Sequence, residues 1–206
     1  MSCMTSAHTR PAKRGPYAKS ALRRTEIIEA ATSVFASRGY HGGSFRDVAR
    51  QIGMTLPSVL HHFPSKSDLL EAVLEHADQT AAPWFSKHAE ERGIKSAIIE
   101  LVEVNFTRTE LLRLLAIVSS EASAPDHPAH TWFVKRYENL TQALATMIDN
   151  DVSAGRIEPP ANSEAAAQAI LAAWDGLQLQ WLLAPESDMI DRMTLVLDSL
   201  LPPTSN

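Results

Sequence analysis

The sequence predicts an all-α chain of about nine helices. A basic, flexible arm (residues 1–19) precedes a compact three-helix head with a helix-turn-helix pattern (20–70) and a larger helical bundle (71–206). Three observations carry this prediction. From Ser20 onward, apolar residues recur three and four apart. No stretch alternates apolar and polar residues as a half-buried strand does. Glycine and proline fall at intervals that cut the pattern into helix-sized pieces.

Residues 1–19 show no apolar period and read as an arm without a packed face. Ile27, Ala30, Ala31, Val34 and Phe35 then form one helical stripe, which stops at Arg38-Gly39, where glycine suits a left-handed C-terminal position. His41-Gly42-Gly43 reads as a loop. Ser44 followed by Asp47 is a shortened capping box for a second helix, Ser44–Ile52, with Phe45, Val48, Ala49 and Ile52 on one face. Gly53 turns the chain, and Thr55 caps a third helix with Pro57 in its first turn. That helix ends by His62-Phe63, because Pro64 disfavours helical backbone in its predecessor. Ser65 and Asp68 cap a fourth helix bearing Leu69, Leu70, Val73, Leu74 and Ala77. Beyond it, Pro83, Gly93, Ala124–Pro128, Gly155 with Pro159-Pro160, and Pro185 are expected to separate the remaining helices.

Charge divides the chain unevenly. Residues 1–70 hold ten Lys/Arg against four acids, whereas the remainder holds nine against twenty, so a head of about +6 sits on a body of about −11. Only the head is suited to a polyanion. No apolar run reaches the roughly 18 residues that a membrane span needs, and the basic N-terminus lacks the apolar segment of a secretory signal. The lone cysteine, Cys3, forms no internal disulfide, which fits a reducing cytoplasm. No GxSxG, HExxH or glycine-rich phosphate loop occurs, and no spacing singles out a catalytic triad, so neither an enzyme nor a cofactor is expected. Adjacent His61 and His62 point about 100° apart on a helix and have no acid or cysteine at i+3 or i+4, so no metal site is expected.

The third helix is short and polar at its start, as a helix entering the major groove of DNA must be. Thr55, Ser58 and His61 carry groups that hydrogen-bond bases or phosphates, and Arg46 and Lys66 flank them as phosphate clamps. Plainer readings stand beside these: Thr55 as an N-cap, His62 as a packed residue closing the turn, and Phe63 as core.

The stretch Arg23–Leu74 resembles the DNA-binding head of TetR-type transcriptional regulators. The likeness lies in Ala31 to Phe35 with Arg38-Gly39-Tyr40, Asp47-Val48-Ala49, Gly53-Met54-Thr55, and His62-Phe63-Pro64-Ser65-Lys66 before Leu69-Leu70. The resemblance implies a homodimer on a roughly palindromic, double-stranded DNA operator, with a small-molecule effector bound in the body that changes the spacing of the heads. It further implies DNA contacts by Ser44 and Arg46 on the second helix, by Thr55, Pro57, Ser58 and His61 on the third, and by His62 and Lys66 to the backbone. Many relatives carry tyrosine where this chain has Leu60, and a polar residue and glycine where it has Leu56-Pro57. A tyrosine at position 60 can donate to a phosphate; leucine cannot.

In the body, Trp84, Phe85, Phe106, Trp132, Phe133 and Tyr137 fall on helices that line the effector cavity in similar proteins, and they read either as cavity lining or as plain core. Gln178, Met147, Asn105 and Glu121 are weaker candidates. Acid-bearing and poor in Lys and Arg, the body favours an apolar or cationic effector. The final helices, Ser163–Leu183 and Ser187–Leu201, read as an intersubunit four-helix bundle, with Ala169, Ala173 and Gly176 allowing close approach and Leu177, Trp181, Met193 and Leu197 as knobs. The alternative is burial within their own subunit. A second functional reading keeps the DNA-binding head but replaces the effector with a protein partner, or makes the protein an activator.

Overall fold

The computed structural model describes residues 16–204, without the side chains of 16–19 and 80–82. The described residues form nine helices: α1 (Pro16–Gly42), α2 (Phe45–Gln51), α3 (Leu56–His62), α4 (Lys66–Arg92), α5 (Ile94–Phe106), α6 (Thr109–Glu121), α7 (His130–Ser153), α8 (Ser163–Leu183) and α9 (Met189–Leu200). Among them the only extended pairing is a single antiparallel bridge between Ile157 and Pro203.

The local signals act as the sequence leads one to expect, with three differences. First, α1 begins at Pro16, inside the expected arm, where the fixed φ of proline suits a first helical position. Second, the His41-Gly42 stretch is a helical turn set off by a kink, not a loop. The kink is at Gly39, whose φ of 68° and ψ of 176° lie in a region essentially reserved for glycine. Third, Pro83 does not end a helix. It sits on the exposed side of α4, so the carbonyl it leaves without a partner, that of Gln79, lies at an exposed residue, and the 27-residue helix runs on to Gly93.

Two apolar cores result. Ile27, Ala31 and Phe35 of α1, Val48 of α2, Val59 of α3, Phe63, and Leu69, Leu70 and Leu74 of α4 pack together, and Leu114, Val118 and Phe133 of α6 and α7 join the same cluster. The second core joins Ile94, Ile98, Leu144, Ile148, Ile170, Trp181, Met193 and Leu197 from α5, α7, α8 and α9. The head is thus not closed on itself: α4 crosses residue 70 without a break, and α6 lies along α1.

Candidate nucleic-acid interface and ligand cavity

α2 and α3 present the head's polar face. Ser44 caps α2: its hydroxyl accepts from the Asp47 backbone N–H at 3.3 Å and donates to the Asp47 carboxylate at 2.5 Å. The reciprocal half of the capping box is absent because that carboxylate is taken by Ser44 Oγ, by Arg38 at 3.0 Å and by Arg50. The Ser44 hydrogen bond first, then Arg38 and Arg50, hold Asp47 below the usual carboxylate range. Gly53, at φ 65°, makes the turn into α3. Thr55 caps α3 by accepting from Ser58 N–H at 3.4 Å, and the two hydroxyls share a hydrogen bond at 2.9 Å. Ser65 completes a full capping box on α4, with both bonds to Asp68 at 3.1 Å.

Of the anticipated DNA-contacting residues, Arg46, Thr55, Pro57 and His61 are exposed, while Ser44, Ser58, His62 and Lys66 are half-buried. His62 stands edge-on to His61, and its carbonyl accepts from Arg24, whose guanidinium also covers the Phe63 ring at 4.2 Å. The Lys66 ammonium lies 4.6 Å from the Tyr40 ring centroid and donates to the His41 carbonyl at 3.3 Å, engaged within the head as well as facing out. Burial lowers its pKa, opposed by the Glu121 charge.

A junction between residues distant in sequence ties head to body. Glu121, at the end of α6, accepts the Tyr40 backbone N–H at 2.9 Å and fills the space where a Gly39 side chain would stand. It was a weak ligand candidate; the structure places it against the head instead. Beside it, the buried His127 ring packs edge-on against Tyr40 and His41, at centroid distances of 5.0 and 5.6 Å. His127 Nδ1 accepts from Ala129 N–H at 3.2 Å, so the neutral ring carries its proton on Nε2. That donor has no hydrogen-bond partner and stands 3.9 Å from Glu121 Oε2, beyond bonding range. Burial lowers the His127 pKa, which His41 reinforces and the charges of Glu121 and Asp126 oppose.

The anticipated effector residues are not brought together. Trp132, Phe133 and Tyr137 pack in the first core, Phe85 and Phe106 on the second, and the Phe106 ring lies tilted against Trp181 at a centroid distance of 4.9 Å. Trp84 stacks on His88, and Gln178 is buried as the acceptor of the Trp174 indole N–H at 3.1 Å. Only Tyr137 lines a cleft of about 790 Å³ between α7 and α8. There it is joined by Val134, Glu138, Thr141, Gln142 and Ala145 of α7 and by Glu164, Gln168, Leu171, Ala172 and Asp175 of α8. Tyr137 donates to the Asp175 carboxylate at 2.6 Å. Burial and that bond push the tyrosine up to about 12, and burial also raises Asp175, against the pull of the Tyr137 hydrogen bond and Arg136.

Three anticipated interface residues are corrected. Trp181, Met193 and Leu197 lie in their own subunit's core, at 9%, 0% and 0% exposure. The residues left outward on α8 include Ala169 and Gly176, with Ala165, Ala172, Leu179 and Leu183, while Ala173 and Leu177 are half-buried.

Residues 27–73, from the middle of α1 through the first two turns of α4, match the family model described as bacterial regulatory proteins, tetR family. The chain is 28% identical over 176 residues to the HTH-type transcriptional regulator TtgR of Pseudomonas putida, covering 80% of this chain and 82% of that protein. The DNA-binding head is of the TetR type. The chain is also 23% identical over 193 residues to the HTH-type transcriptional repressor DhaR of a Mycobacterium species, covering 89% of this chain and 94% of that one. A TetR-family regulator from Agrobacterium tumefaciens superposes with a TM-score of 0.71 at 19% identity, over 88% of this chain and 94% of its own. With this head, and with HTH-type transcriptional regulators as its relatives over most of its length, the protein is a DNA-binding transcriptional regulator rather than an enzyme. Among the described residues, no helix is long and apolar enough to cross a membrane, and no group of three or more His, Cys, Asp or Glu is placed to hold a metal.

Proposed function

We propose that the protein is a homodimeric repressor that holds a palindromic operator and leaves it when a small molecule binds the body. The observation that carries this reading is the outward face of α3: Thr55, Pro57 and His61 are exposed on a helix fixed from below by the wholly buried Val59. Arg46 stands exposed on the neighbouring helix, within a head of net positive charge. Thr55, Pro57, Ser58 and His61 enter the groove, Ser44 and Arg46 support them from α2, and His62 and Lys66 meet the backbone.

Dimerisation is assigned to the outer stripe of α8. Ala165, Ala169, Ala172, Gly176, Leu179 and Leu183 follow one another at alternating steps of four and three, the seam spacing of packed helices, and Leu195 of α9 is also exposed. Small residues at one end and leucines at the other let a second copy approach closely and then bury apolar surface.

The α7–α8 cleft is the best candidate for the effector. It lies within the size range of small-molecule sites. Its lining includes three carboxylates (Glu138, Glu164, Asp175) and no lysine or arginine, which suits a neutral or cationic ligand. Ala172 belongs to both the stripe and the cleft wall, so a partner seated on α8 borders the ligand.

Selection of duplexes by the purified protein tests the reading. It should recover an inverted repeat bound roughly a thousandfold or more tighter than random DNA. Only weak, sequence-blind binding would refute it.

A further inference from the structure

The outward face of α3 has two chemically different edges. Val59, fully buried, fixes the inward direction. At 100° per residue, Pro57 and His61 then point most directly away, with Ser58 on one side and Leu60 on the other. The Ser58 edge is polar. The other is apolar, because Leu60 keeps 39% of its surface exposed and the exposed Pro57 precedes it by three residues.

A single exposed leucine is ordinary by itself. What distinguishes Leu60 is the composition of the helix around it. From Thr55 to His62 there is no Arg, Lys, Asn, Gln, Asp or Glu. The side chains that pair with guanine, adenine or cytosine edges through two hydrogen bonds or a carboxylate are therefore absent from α3. Base reading by this helix falls to hydroxyls, imidazoles and apolar contact. The major groove carries one apolar mark, the C5-methyl of thymine.

We infer that Leu60, backed by Pro57, seats a thymine methyl in each half-site and so fixes the identity and strand orientation of one A·T pair. The inference rests on the reading of α3 as the recognition helix. It makes Leu60 a specificity determinant, acting through shape and desolvation rather than through a hydrogen bond.

The test uses the full-length protein and the operator recovered by duplex selection, with each thymine replaced in turn by deoxyuridine, which removes the methyl group alone. Losing the contacted methyl should weaken wild-type binding about fourfold per half-site. Leu60→Ala should bind the thymine and deoxyuridine operators equally. Leu60→Tyr should lose the methyl dependence too and leave the salt slope unchanged, because a neutral hydroxyl releases no counterion. Unchanged circular dichroism and melting temperature would show that the variants fold, as expected for an exposed position.

An operator bound specifically but indifferent to every deoxyuridine would overturn the inference and leave the regulator reading standing. A Leu60→Ala protein as methyl-sensitive as wild type would overturn it as well, since the contact would then belong to another residue. Failure to enrich any duplex would sink the regulator reading itself, and the inference with it.

Discussion

At the scale of single residues, the junction between head and body rests on a glycine and two titratable side chains. Gly39 holds a backbone conformation that costs other residues about 1–3 kcal/mol, and Glu121 occupies the place of its missing side chain. Gly39→Ala should therefore lower stability by more than that strain alone. Adding Glu121→Ala should recover only the part due to collision; equal losses in the single and double variants, read by thermal unfolding, would show that no collision exists. His127 makes a second prediction. Its folded-state pKa lies below the ordinary histidine value near 6.5, so the folded protein binds fewer protons than the unfolded chain as the pH falls below that value. Stability from the neutral ring is thus complete above about pH 6.5 and declines below it. The charged or titratable neighbours are Glu121, Asp126 and His41, with Tyr40 and Lys66 alongside. His127→Asn keeps an acceptor for Ala129 but does not titrate. Between pH 7 and pH 5.5 the wild type should lose more unfolding free energy than this variant, and parallel curves would refute the assignment.

At the scale of elements, the parts that were legible in the sequence are those set by neighbours three or four residues away. Ser44, Thr55 and Ser65 each cap the helix expected of them, Gly53 turns the chain, and Pro64 stops α3. Ser65→Ala should cost about 0.5–2 kcal/mol in denaturant unfolding, since it removes one half of a reciprocal box; no change in the denaturation midpoint would mean that the cap is idle. Contacts between residues distant in sequence were not legible. Glu121 lies 81 residues from Tyr40, and nothing in either local pattern links them. Pro83 misled for a related reason: a proline signals a lost hydrogen bond, and only the fold shows that this position faces outward.

At the scale of the whole molecule, the proposed assembly turns on α8, and the sequence was ambiguous there because the helix is apolar nearly all round. Ala166, Ala167, Ile170 and Trp181 turn inward, while Ala165, Ala169, Ala172, Leu179 and Leu183 turn outward, so periodicity by itself does not say which stripe meets a partner. Burial does. Leu179 and Leu183 keep 50% and 79% of their surface exposed, whereas Met193 and Leu197 keep none. In a two-fold assembly each substitution on this stripe acts twice, once from each subunit. Leu179→Asp combined with Leu183→Asp should leave the helical content of the subunit intact and convert the dimer to monomer by sedimentation. Operator affinity should then fall by about 10² or more, because the two heads no longer bind as a linked pair. Met193→Ala should do the reverse. It removes a side chain from the second core, costing about 2–5 kcal/mol of stability, and leaves the association of the folded protein unchanged. A double aspartate variant that still sediments as a dimer would move the interface off α8 altogether.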